Sequence, residues 1–208
     1  MPNTSSISTY LAIAMLAILA LTGPVQAAQQ GVSAFAEVGE RAAVPVGHAE
    51  FCRAHRQECG PNAEAVAAME LTESRWSDLV RINTEYNSAI TPVTDAAYYN
   101  VAELWTYPDA YGDCEDIALA KRRALIGKGW NPSTLLMTVV REANGNGHAV
   151  LMVRTDRGDL VLDNQDGTIR LWSDTPYKFI KRQSQADAGK WVDMVDDREI
   201  VVATAAIN

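Results

Sequence analysis

Two periodicities meet at Gly129, and that change constrains the fold more than any other feature. Before it, Ile117, Ala120, Ala124 and Leu125 recur on one face of a helix expected over Cys114–Lys128. Gly127 and Gly129 stop that helix. After it the period falls to two. TLLMTVVR (Thr134–Arg141), HAVLMVR (His148–Arg154) and LVLDN (Leu160–Asn164) read as three antiparallel strands, joined through the turn signals E-A-N-G-N-G and T-D-R-G. The expected class is α+β, a helix packed on an antiparallel sheet.

The flanks are less regular. Residues 28–48 are Ala/Gly/Val-rich with no clear period and read as a linker or loosely attached arm; residues 49–208 read as one domain. Thr72 looks like an N-cap, with Trp76, Leu79, Val80, Asn83, Tyr86, Asn87 and Ile90 following as a core stripe. Asp95–Pro108 is an irregular aromatic segment. The formal net charge is −8, and Lys121-Arg122-Arg123, the one basic run, reads as a solvated helix face, so the chain is a poor candidate for nucleic acid.

The start reads as a leader. Tyr10–Leu21 is apolar but too short for a comfortable membrane span, and small residues follow to Ala27, so residues 1–27 are expected to be a signal peptide cleaved near Ala27. Export makes the cysteines informative. Cys52 and Cys59 can close a small disulfide loop, which leaves Cys114 as an odd thiol, either buried and inert or reactive.

Cys114 opens its helix, His148 opens a strand, and Asp163 ends the next. A thiol needs a base to become a thiolate, and the base needs an orienting partner. If Arg154 pairs with Asp159, Val150 lies opposite Asp163 and His148 is its diagonal neighbour on the same face. A zinc site from the same three residues lacks a fourth ligand. The helix N-terminus is expected to lower the thiol pKa. Asp113, Glu115 and Asp116 stand against this, because negative charge opposes a thiolate. They have an ordinary reading as first-turn acids, with Asp113 as N-cap.

Gly112-Asp113-Cys114-Glu115-Asp116, then Gly147-His148-Ala149-Val150-Leu151, then Leu162-Asp163-Asn164 resemble the bacterial transglutaminase-like cysteine peptidase family. The likeness covers roughly Phe51 to Trp191, including the two-cysteine loop, I-T-P-V-T-D and K-R-Q-S-Q. It implies a papain/transglutaminase-like core and a periplasmic or secreted protease acting on a protein substrate. It assigns Cys114 as nucleophile, His148 as base and Asp163 as orienter, with calcium held by Asp113, Glu115 and Asp116. A bound dication would reconcile the carboxylates with a thiolate. Acyl transfer on the same triad, and a non-catalytic calcium-binding module, are the competing readings.

Overall fold

The computed structural model describes residues 32–198. The leader expected over residues 1–27 and the apolar tail Ile200–Ile207 lie outside the described residues. In chain order the elements are β1 (Glu37–Ala42), α1 (Val46–Ala54), α2 (Glu73–Ala89), β2 (Thr91–Pro92), α3 (Asp95–Tyr98), β3 (Tyr111–Gly112), α4 (Cys114–Gly127), β4 (Leu135–Arg141), β5 (Gly147–Thr155), β6 (Gly158–Leu162), β7 (Arg170–Leu171), β8 (Lys178–Ser184) and β9 (Asp187–Val195).

Seven strands form one sheet in the order β1-β9-β8-β4-β5-β6-β7, with every pairing antiparallel. The three expected strands are β4, β5 and β6. Arg154 pairs with Asp159 and Thr155 with Gly158, as the turn chemistry requires. Strand alternation then sorts the side chains. Leu135, Met137, Leu151 and Val153 pack with Leu79, Leu119 and Leu125 beneath the helices. Leu136, Val140, Val150, Met152 and Val161 pack on the opposite face with Trp172, Tyr177 and Phe179. Helix α4 lies against β5 and α2, so the strand that carries His148 and the helix that starts at Cys114 are in contact. This is the α+β arrangement expected from the periodicities.

Thr72 caps α2, its side chain accepting from the Arg75 amide at 3.2 Å. Cys52 and Cys59 are joined and Cys114 is free, with the joined pair 5.5 Å apart at Cα.

Three expectations need correction. The segment 28–48 is built into the fold from residue 37: β1 pairs along β9, and α1 starts at Val46. Trp76 and Val80 of α2 are exposed, whereas Leu79, Ile82 and Asn83 are buried, because α2 rests on α4 along a narrower face than the apolar count implied. Lys121 and Arg122 are buried, not solvated. Arg122 Nε donates to the Leu135 carbonyl at 2.9 Å, and Lys121 Nζ donates to Asn83 Oδ1 at 2.8 Å. The polar heads find partners between α4, α2 and β4, which makes their burial tolerable.

Burial lowers the Lys121 pKa from the ordinary 10.5 to about 7, against the attraction of Asp163. Between these values the unfolded chain binds the proton and the folded chain does not, so the contribution of Lys121 to stability rises with pH from about 7 to about 10 and is lowest below 7. Lys121→Met should flatten that rise. Urea unfolding at pH 6.5 and pH 9 checks it, and an unchanged pH slope would contradict the assignment.

Candidate functional site

The short parallel pairing of β2 with β3 builds the site. Thr91 pairs with Tyr111 and Pro92 with Gly112, and the Val93 amide donates to the Gly112 carbonyl at 3.1 Å. The two strands run side by side into α3 and α4, and so bring Asp95 beside Asp113 and Asp116. Gly112 is required by packing: a Cβ there would lie 2.8 Å from Pro108 Cβ and 3.0 Å from both Asp116 Cβ and Oδ2.

Cys114, Asp113, Glu115, His148, Asp95 and Glu103 line one cleft of about 550 Å³ between the start of α4 and the start of β5. The expected residues meet there with a specific pattern of bonds. His148 Nε2 donates to Asp163 Oδ1 at 2.9 Å, and both residues are buried. On the other side of the ring, the Gln165 amide lies 3.4 Å from His148 Nδ1 and is held by Glu142 at 2.7 Å. Cys114 does not bond to His148; its thiol donates to Glu115 Oε2 at 3.0 Å.

Electrostatics oppose the expected low thiol pKa. Burial and then the Glu115 carboxylate push the Cys114 thiol well up, and a backbone hydrogen bond from Ala149 only partly offsets them. The helix N-terminus is there, but burial first and the Glu115 carboxylate second hold the proton on sulfur.

The carboxylates themselves are frustrated. Burial raises Asp95, and burial with the charge of Asp95 raises Asp113. Burial and Asp113 lift Glu115 to about 8, and burial is the main cause lifting Asp116 to about 7. Asp113 occupies the N-cap position of α4 without making a side-chain cap. Asp95 Oδ1, Asp113 Oδ1 and Asp116 Oδ2 are buried without any hydrogen-bond partner. Among the described residues the oxygens gather into two groups that share Asp95: Asp95, Asp113 and Asp116, and Asp95, Glu103 and Glu115. The sequence-derived set of Asp113, Glu115 and Asp116 is thus divided between the two groups, and Asp95 and Glu103 join it. Asp95 closes the I-T-P-V-T-D stretch at the start of α3; the sequence does not announce the two-residue strand pairing that carries it to Asp113.

The sequence matches the bacterial transglutaminase-like cysteine proteinase family over residues 38–199. No curated protein sequence matches it significantly. Among solved structures, calcium-bound LapG of Legionella pneumophila is 25% identical, over 51% of this chain and 64% of that one, with a TM-score of 0.47. The EGTA-treated form of the same protein is 25% identical over 59% and 72%, with a TM-score of 0.49. The matched part therefore spans less than two-thirds of the calcium-bound relative's length.

The tight approach at Gly112 makes a prediction. Gly112→Ala should destabilise the protein by roughly 1–3 kcal/mol through overpacking against Pro108 and Asp116. Gly127→Ala, where a Cβ meets nothing within 4 Å, should not. Thermal unfolding of the two variants side by side checks this, and equal midpoints would contradict it.

Proposed function

The chain belongs to the bacterial transglutaminase-like cysteine proteinase family, and from that premise we propose that it is an exported, calcium-dependent cysteine protease acting on a protein substrate. One observation carries the reading: the His148–Asp163 pair opens into the same cleft as a thiol at the N-terminus of α4. The leader expected at residues 1–27 and the Cys52–Cys59 disulfide support export. No helix among the described residues is long and apolar enough to cross a membrane.

The bonds support the following roles. Asp163, ionised, accepts the Nε2 proton of His148, which leaves Nδ1 with a lone pair. In the reaction His148 Nδ1 takes the Cys114 proton and the thiolate attacks the peptide carbonyl carbon. The imidazolium then gives that proton to the departing amine. A water that loses its proton to Nδ1 next cleaves the thioester, freeing the carboxylate product and restoring the thiol. Throughout, Asp163 steadies the imidazolium.

The carboxylate cluster fits a hard dication. Its donors are all oxygen, three of them buried and unpartnered. Asp95, Asp113 and Asp116 would hold calcium, with Glu115 and Glu103 beside them. A dication held there would offset the negative charge around Cys114, including that of Glu115, the carboxylate that accepts from the thiol.

Two outcomes are expected. With Cys114→Ala or His148→Ala, turnover should fall by about 10⁴-fold or more while the fold persists, and Asp163→Asn should retain more activity than either. N-terminal labelling and mass spectrometry of exported and surface proteins supplies the readout. New termini that persist with Cys114→Ala would overturn the protease reading. Separately, chelation should lower the melting temperature of the wild type, and added calcium should restore it. Asp116→Ala should respond to neither. A melting temperature indifferent to calcium in the wild type would remove the metal from the account.

A further inference from the structure

Both oxygens of Asp163 are engaged inside the protein. Oδ1 accepts from His148 Nε2 at 2.9 Å and from the Gln165 backbone amide at 3.0 Å. Oδ2 accepts from the phenol of Tyr177. Asp163, His148 and Tyr177 are only 3%, 4% and 7% exposed, so water does not compete for these bonds. A carboxylate held by one oxygen can still turn about its broad terminal torsion; held by both, it cannot.

The phenol is itself fixed. Its ring centroid lies 5.4 Å from that of the His148 imidazole. Arg198 donates to the Tyr177 carbonyl at 2.6 Å and gathers the carbonyls of Trp172, Ser173 and Thr175 along the same loop. Burial and the bond to Asp163 raise the Tyr177 pKa, so the hydroxyl stays a donor at any physiological pH. On the backbone side, Asn87 of α2 donates to the Asp163 carbonyl at 2.8 Å.

Resting on the triad reading above, we propose that Tyr177 is a positioning residue for His148. Its phenol sets the plane of the Asp163 carboxylate, and that carboxylate holds the imidazole proton on Nε2 so that Nδ1 remains the base. The other charged groups reach His148 from different sides. Glu142 acts through Gln165, and Lys121 through Asp163. Cys114, Glu115 and Lys181 face it across the cleft, and Asp166 and Glu142 add negative charge near the phenol. None of these other side chains hydrogen-bonds to Asp163 Oδ2, among the described residues.

Long-range ¹H–¹⁵N spectra of histidine-labelled protein test this, with His148 assigned among the three histidines by its loss in His148→Gln. The wild type should show a neutral His148 protonated on Nε2. Tyr177→Phe keeps the ring and removes the donor. It should give a mixture of tautomers, because the carboxylate, no longer held at Oδ2, can turn about its terminal torsion. Fluorotyrosine placed at position 177, a stronger donor on the same ring, should keep the proton on Nε2 and shift the His148 Nε2 resonance, and this arm decides the matter if Tyr177→Phe does not fold. Spectra of Tyr177→Phe that superimpose on the wild type, or an unmoved His148 Nε2 resonance with fluorotyrosine, would overturn the proposal. The readout is the imidazole and not turnover, so a negative result here is distinct from a failure of the protease reading.

Discussion

A buried carboxylate without a partner is costly, and this protein keeps three such carboxylate oxygens, on Asp95, Asp113 and Asp116, grouped at the start of the helix that carries its free thiol. Most of the site follows from that fact. The parallel pairing of β2 with β3 gathers Asp95, Asp113 and Asp116. Gly112 lets the chain pass closely enough for Asp116 to sit behind it. Burial first, and then the neighbouring Glu115 carboxylate that accepts from the thiol, keep the Cys114 proton on sulfur. On the reading proposed above a cation completes this site, and its all-oxygen donors suit calcium.

The proposed base stands on a different foundation. His148 and Asp163 are set by the β5–β6 register, on the sheet face that carries Val150, Met152 and Tyr177, while α4 brings the thiol to the other face beside Ala149. The cleft lies where the two arrangements meet, at the ends of α4 and β5. The proposed nucleophile and base are therefore positioned by separate parts of the fold. A change in the carboxylate cluster can alter the thiol while the imidazole keeps its partners.

Much of this was legible in the sequence, where a local rule applied. The helix from Cys114, strands β4 to β6 and the pairing of Arg154 with Asp159 follow from periodicity and turn chemistry, so His148 and Asp163 could be placed on one face. Strands β1, β8 and β9 were missed because they mix charged and apolar residues and are broken by register shifts at Val38/Arg41 and Gln183/Ser184. Lys121 and Arg122 were read as solvated because their partners, Asn83 and the Leu135 carbonyl, come from elements distant in sequence. Asp95 was missed for the same reason: nothing near it in sequence announces that a two-residue strand pairing will carry it to Asp113.

Asp95 is also where the account is most exposed, since both oxygen groups share it. Calorimetric titration of chelator-stripped protein with calcium, comparing the wild type with Asp95→Asn, measures this directly. The account predicts saturable binding by the wild type and its loss in Asp95→Asn, with the folded state retained. Equal binding by the two proteins would contradict it, as would a wild type that binds no calcium.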